Sequence, residues 1–375
     1  MADPLLLTPG PLTTAAATRA AMTRDYGSRD PAFVAITQRV CQQLVALAGG
    51  DAGFACVPMQ GSGTFAIEGA VGTLVPRDGK LLVCVNGAYG ERMAEIARTI
   101  GRACTTLEFD ETEPVDPARL DAALRADPQI SHVGVIYCET TAGVLNPIEA
   151  IGAVVARHGR RLLLDAMSAF GALPLDVMTL PVDAVMASSN KCLEGVPGLG
   201  FVLAPVAALV AAKGNAHSLA LDLCAQHLRL ARDGQWRFTP PTHVIAALDA
   251  AIAAHAAEGG VDGRGARYRA NCKRLVDGMR ALGFGTLLPD AVQAPIIVTF
   301  AEPEDPRFVF ETFYDALNTR GFAIYPGKLT RAATFRVGCI GQVFAADIDR
   351  FLSAVREALA ELGLPTPLPA MEMTR

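Results

Sequence analysis

The sequence predicts an α/β protein: a large domain on a mostly parallel sheet flanked by helices, followed by a smaller C-terminal α+β domain. Three observations carry this. Short β-rich runs alternate with helical patterns through the first two-thirds of the chain. These runs are nearly continuous in Val, Leu and Ile, as strands covered on both faces require. Past the alanine-rich stretch that ends near residue 257, the order changes to α-β-α-β-β-α.

Taken in order, "KLLVCVNG" (80–87) reads as a strand and "ERMAEIARTIG" (91–101) as the amphipathic helix after it. "PARLDAALRA" (117–126) is a helix with proline in its first turn, where the missing N–H costs nothing, and it leads into the strand "SHVGVIYCET" (131–140). The helix "PIEAIGAVVARHG" (147–159) and the strands in "RRLLLDAMSA" (160–169), "VDAVMASS" (182–189) and "GFVLAP" (200–205) complete this part. A helical segment within 215–240 stops at the two prolines of "WRFTPPTH" (236–243). A long helix over 243–257 is closed by Gly259-Gly260. "GARYRANCKRLVDGMRALG" (265–283), "APIIVTFA" (294–301), "RFVFETFYDALNTRG" (307–321), "FAIYPG" (322–327), "TFRVGCIG" (334–341) and "AADIDRFLSAVREALAELG" (345–363) make up the smaller unit. The expected division is an N-terminal arm over 1–15 near the active site, a large domain over 16–257 and a small domain over 258–375.

Composition narrows the function. Hydrophobic residues make up 51% of the 375 and charged residues 19%, which fits a compact body with a sizeable core. The net charge is −5 and no basic block occurs, so nucleic acid is not an expected partner. "MADPLLLTPGPLTT" lacks the basic start of a secretion signal, and no apolar stretch reads as a membrane span, so a cytoplasmic protein is expected. The nine cysteines contain no CxxC pair and the histidines no HxxxH pair. Reduced, mostly buried thiols and no metal site follow.

The chemistry gathers at strand ends. Asp165 closes the strand "RLLLD", at the carboxyl edge where open α/β sheets bind ligands. A helix cap or loop acid is the plain alternative. Met167, two residues on, falls on the same side by strand alternation. Lys191, in "SSNKCLEGVPG", follows the next strand and belongs at the same edge; alone, it would read as a surface loop lysine. A buried amine of lowered pKa beside such an acid suits pyridoxal phosphate chemistry, in which the amine joins the cofactor aldehyde and the acid keeps the pyridine nitrogen protonated. In "QGSGTFAIEGA", Gly61, Ser62, Gly63 and Thr64 open a helix over about 64–75, a phosphate cradle by its N–H groups and dipole. The same residues satisfy G-x-G-x-x-A, the loose dinucleotide fingerprint, but the next strand ends in Asn86 where a ribose-binding acid is expected. Tyr89 is placed to stack on a flat ring or to pack in the core. Arg336, in an apolar strand of the small domain, suits bidentate capture of an acidic group, or a structural ion pair.

Together with "LLLTPGPLTT", "NGAYGERM", "ETTAGVLNPI", "DAMSAFG", "WRFTPPTH", "ALGFGTLLPD", "YPGK" and "FRVGCIG", these segments resemble the class V aminotransferases, on the fold-type I scaffold of pyridoxal-phosphate enzymes. Within that family they are most similar to the branch that moves the amino group of 2-aminoethylphosphonate to pyruvate in phosphonate catabolism. The resemblance covers nearly the whole chain. It implies pyridoxal 5′-phosphate as cofactor, Lys191 as Schiff-base lysine and proton shuttle, and Asp165 as partner of the pyridine nitrogen. It further implies phosphate contacts from Ser62, Gly63, Thr64 and Asn190, a ring sandwiched by Tyr89 and Met167, and Thr140 near the ring hydroxyl. Thr239 would reach the phosphate of the neighbouring subunit, which implies a homodimer with shared active sites. Arg336 would bind the acidic group of the substrate near Gly10 and Pro11. An alanine- or serine–glyoxylate aminotransferase is the nearest alternative; those typically carry Gln before the lysine, where this chain has Asn190. A cysteine desulfurase needs a mobile thiol, which Cys339 in a strand-end turn does not supply.

Overall fold

The computed structural model describes residues 3–328 and 332–369. Residues 1–2 of the expected arm, and 329–331 and 370–375 of the expected small domain, lie outside the described residues. Seven strands form the central sheet: β1 (Phe54–Gln60), β2 (Lys80–Val85), β3 (Ala103–Glu108), β4 (Ile130–Ile136), β5 (Arg161–Asp165), β6 (Val182–Ser188) and β7 (Leu199–Pro205). Their order across the sheet is β1-β7-β6-β5-β4-β2-β3. β7 is antiparallel to both neighbours, and the other pairs are parallel. The near-continuous apolar strands have this cause: one core of Leu82, Val133, Val135, Leu162 and Leu164 lies on one face, and another of Leu81, Val83, Leu163, Ala184 and Met186 on the other.

Helices follow the strands where capping chemistry starts them. Asp116 caps Pro117–Ala126, its side chain accepting the Ala118 N–H, and Asp30 caps Pro31–Leu47 through the Ala32 N–H. Each has proline at its start. The alanine-rich helix, Thr242–Ala257, ends just before the glycine pair, as its sequence implies. Gly259 and Gly260 both adopt positive φ (100° and 69°), and the chain re-enters helix at once as Gly260–Ala281, bent by 80°. The glycines therefore close one helix and turn the chain straight into the next, since they take two successive left-handed conformations at low cost.

A second core lies around a three-stranded antiparallel sheet: β8 (Ile297–Ala301), β9 (Tyr325–Pro326) and β10 (Thr334–Gly338), in the order β8-β10-β9. Helices Gly260–Ala281, Phe310–Thr319 and Ala345–Glu361 supply Leu275, Phe313 and Phe351 to it. Phe335 is the centre of its aromatic cluster, with ring centroids of Phe284, Phe300 and Phe313 at 5.5, 5.6 and 5.6 Å. The N-terminal segment joins both cores. Leu5–Leu6 pairs with Phe322–Ala323, Leu7 packs in the second core, and Leu12 in the first. Among the described residues no single helix is long and apolar enough to cross a membrane.

Truncating Phe335 to Ala should destabilise the protein by about 3–5 kcal/mol, because every side of its ring is packed. Urea denaturation followed by circular dichroism reads this. A loss below ~1 kcal/mol would mean that the cluster collapses into the void.

Candidate active site

The carboxyl ends of β4, β5 and β6, with the turn after β1, surround a cavity of about 190 Å³. Ser62, Gly63, Thr64, Tyr89, Thr140, Asp165, Met167, Asn190 and Lys191 line it. All nine are residues that the sequence motifs single out for cofactor contact.

Lys191 leaves the loop after β6. Its Nζ donates to the Pro9 carbonyl at 2.6 Å, so the N-terminal segment closes over the amine. Gly10, at φ +126°, allows that approach: a Cβ there would lie 2.8 Å from Lys191 Cδ. Burial lowers the Lys191 pKa, and nearby negative groups, Tyr89 first, partly offset it. A larger share of the amine is therefore neutral near pH 7 than in a solvated lysine.

Asp165 is 2% exposed at the end of β5. Its Oδ1 accepts the Met167 N–H at 2.8 Å, and no salt bridge among the described residues reaches it. Burial pushes its pKa up to about 7. Met167 reaches the cavity through this turn and not by strand alternation, because β5 ends at Asp165 and the aspartate closes an Asx-turn.

Ser62 is the N-cap of helix Gly63–Leu74, in extended conformation, yet its side chain closes no cap hydrogen bond. The first-turn N–H groups and the hydroxyl are thus left for a ligand, with the positive end of the helix dipole behind them. Gly63 and Gly200 make the close packing possible. A Cβ on Gly63 would meet Met167 Sδ at 2.4 Å, and one on Gly200 would meet Ala66 Cβ at 2.9 Å.

Tyr89 sits in a cationic surround. Burial raises its phenol, but the charges of Lys191, Lys328 and Arg336 and a hydrogen bond with Thr140 outweigh this and lower it overall. Arg336, on β10, is 6% exposed; its Nε donates to the Pro326 carbonyl at 3.1 Å and Nη1 to that of Thr140 at 2.9 Å. It forms no salt bridge with a described acid. Gly10, Pro11 and Arg336 do not line the cavity itself, and Arg336 abuts it through Tyr89 and Thr140. Thr239 lies apart, beside a second cavity of about 150 Å³ with Phe65, Trp236 and Phe238.

Sequence reasoning passed over Arg92, Ser168 and Cys138, which also line the cavity, and buried Glu139, which accepts the Gly90 and Thr141 N–H groups. It also passed over Glu194, whose backbone takes a left-handed φ of 58° without being glycine. Glu194 Oε1 accepts Arg267 Nη2 at 2.7 Å and the Tyr268 hydroxyl at 2.6 Å. Arg264 Nη1 donates to the Cys192 carbonyl at 2.6 Å. Helix Gly260–Ala281 thus grips the loop on the residue after Lys191 and again two residues on. The one sequence signal was an acid inside an otherwise apolar, glycine-rich turn.

The sequence pattern of the class V aminotransferases matches residues 56–333, and the chain belongs to that family. A 2-aminoethylphosphonate–pyruvate transaminase of Pseudomonas fluorescens is 56% identical over 362 residues, 96% of this chain and 98% of that protein. Among solved structures, the pyridoxamine-pyruvate aminotransferase of Mesorhizobium loti superposes with a TM-score of 0.89 at 25% identity, covering 97% of this chain and 94% of that one. An alanine–glyoxylate aminotransferase of Nostoc sp. gives 0.89 at 22%, covering 96% of each, a likeness of fold. The fold is accordingly that of the fold-type I pyridoxal-phosphate aminotransferases. The family works with pyridoxal 5′-phosphate, and the donor set fits that group: an uncapped helix start for the phosphate, a buried carboxylate without a cationic partner for a protonated ring nitrogen, and an amine whose pKa burial lowers.

Replacing Glu194 with Ala should cost about 3 kcal/mol, read by chemical denaturation, since it leaves buried Arg264 and partly buried Arg267 with Glu258 as their one remaining described acid. Asp165 gives a pH signature in the cofactor-free protein. Its folded pKa, about 7, lies above the ordinary 3.8, so its contribution to stability is full below 3.8 and is lost as pH rises through about 7. Asp165→Asn should therefore gain stability relative to wild type between pH 5 and pH 8. Parallel curves for the two proteins over that range would contradict the buried-acid assignment.

Proposed function

We propose that this chain is the aminotransferase that takes the amino group of 2-aminoethylphosphonate and gives it to pyruvate, releasing phosphonoacetaldehyde and L-alanine. The observation in the site that carries this reading is Arg336, a buried guanidinium held by backbone carbonyls, with no described acid paired to it, beside the amine-bearing cavity. A buried cation in that position awaits an anion from the ligand. The similarity to the Pseudomonas fluorescens transaminase runs through nearly the whole of both chains and supports the choice of phosphonate and pyruvate.

The residues divide the work as follows. When bound, pyridoxal phosphate supplies an aldehyde that takes up amines and a ring that accepts the electron pair left when the amino-bearing carbon loses its proton. Ser62, Gly63, Thr64 and Asn190 hold its phosphate, and Tyr89 and Met167 enclose its ring, with Thr140 near the ring hydroxyl. Asp165, in its apolar surround, keeps a proton on the ring nitrogen through a charge-assisted hydrogen bond. Lys191 Nζ holds the cofactor between turnovers, takes the proton from the amino-bearing carbon of the donor, and returns it on the other side of the transfer. The Pro9 carbonyl and the apolar flanks of the lysine loop keep water from that amine. Arg336, near the turn at Gly10 and Pro11, orients the donor by its acid group.

We infer a homodimer in which the partner subunit's Thr239 completes the phosphate site. Phe65, Leu219 and Phe238, 48%, 74% and 49% exposed, lie around Thr239 and present the apolar surface that a second copy would cover. A cytoplasmic location agrees with the free thiols of the nine cysteines.

The purified protein should carry a visible chromophore that Lys191→Ala abolishes, and it should form L-alanine from 2-aminoethylphosphonate and pyruvate. Good turnover of serine or alanine with glyoxylate, and none of 2-aminoethylphosphonate, would overturn the phosphonate reading in favour of a glyoxylate aminotransferase. A chromophore retained in Lys191→Ala would overturn the assignment of the lysine.

A further inference from the structure

Arg336 supplies one positive charge, whereas a phosphonate carries between one and two negative charges near neutral pH, as a phosphate monoester does. The structure brings a second cation to the same place. Pro326, whose carbonyl fixes Arg336 Nε, is followed two residues later by Lys328, on the hairpin that β9 and β10 form. Gly327 N donates to the Thr334 carbonyl at 2.7 Å and holds that turn against β10. Lys328 Nζ lies 4.3 Å from the centroid of the Tyr89 ring, and the Arg92 guanidinium carbon lies 5.1 Å from it. The Arg336 side chain hydrogen-bonds with Tyr89 as well. Lys328 and Arg336 thus converge on one tyrosine from one hairpin.

The acids near this end do not cancel them. Glu139 is bound by the Thr141 hydroxyl and N–H and by the Gly90 N–H, and burial raises its pKa. Asp165 is buried, and burial raises its pKa as well. Arg92, Lys191, Lys328 and Arg336 therefore outnumber the two described carboxylates, and the surplus is greatest around Tyr89.

We propose that Lys328 and Arg336 together form a two-cation receptor, with the Tyr89 ring as its floor, and that Lys328 is the residue by which the site prefers a phosphonate dianion to a carboxylate. This rests on the phosphonate reading of the site and deepens it. Arg336 serves either kind of acid, because one guanidinium meets one carboxylate in bidentate fashion. The second charge is what Lys328 answers. As a compact ammonium on a flexible stem, it follows an anion whose three oxygens point in different directions.

The test compares holoenzymes of wild type, Lys328→Met and Lys328→Arg. Lys328→Met should raise the KM for 2-aminoethylphosphonate about tenfold, with kcat and the L-alanine half-reaction within about twofold, the loss expected of one charge-assisted contact. Lys328→Arg should restore most of the loss. Calorimetric titration reads the receptor directly. Inorganic phosphate should bind Lys328→Met about tenfold more weakly than wild type, and propionate equally well. Equal phosphate affinity in wild type and Lys328→Met, or a parallel loss for propionate, would overturn the proposal. Should wild type not turn over 2-aminoethylphosphonate at all, the phosphonate reading fails, and the comparison of phosphate with propionate still decides the receptor.

Discussion

The buried contact between Glu194 and the helix Gly260–Ala281 is the constraint on which the site depends. A reactive lysine has to leave a strand end without a helix to stiffen it, in a loop lean enough for a cofactor to approach. Such a loop has little local structure of its own, and its backbone is held from outside. Glu194, at a left-handed φ and 3% exposed, accepts from Arg267, Tyr268 and Gln342, while Arg264 takes the Cys192 carbonyl. A strained backbone persists where its surroundings over-determine it. Here they do so from a helix whose far end packs in the second core, so the position of Lys191 is coupled to both halves of the molecule.

Burial then sets the chemistry. The same apolar packing that makes β5 and β6 core strands takes water from Asp165 and Lys191. It raises the acid to about 7 and lowers the amine, shifting both groups toward neutrality. An aspartate placed so, with a hydrogen bond only from the backbone, is costly unless a ligand brings a cation. A protonated ring nitrogen meets that requirement. Around Tyr89 the surroundings are of the opposite sign: Lys328 and Arg92 lie over its ring, and Arg336 is held nearby by two backbone carbonyls.

Much of this was legible in the chain. The strand and helix alternation, the Asp165 and Lys191 strand ends and the Ser62–Thr64 helix start are local patterns, and each reads from a few neighbouring residues. The smaller unit was also legible, since its aromatic strands and amphipathic helices follow the expected periods. What local pattern missed was either polar and remote or without a composition cue. The helix Pro31–Leu47 has modest amphipathicity, and Glu194 reads as one acid in a glycine-rich turn. Lys328 ends the motif "YPGK", but no neighbouring residue shows what its amine meets.

The sequence alone determined most of the strands and helices, where the carboxyl edge of the sheet falls, and which residues collect there, because hydrophobic period and capping are local properties. Only the tertiary structure decided that a second helix starts at Gly260, at 80° to the one before it, and that Pro9 closes over Lys191. It alone brought Arg267 to Glu194 across 73 residues, and Lys328 and Arg336 to Tyr89. Those pairings are fixed by how two cores pack against each other, and no short window of sequence contains both partners.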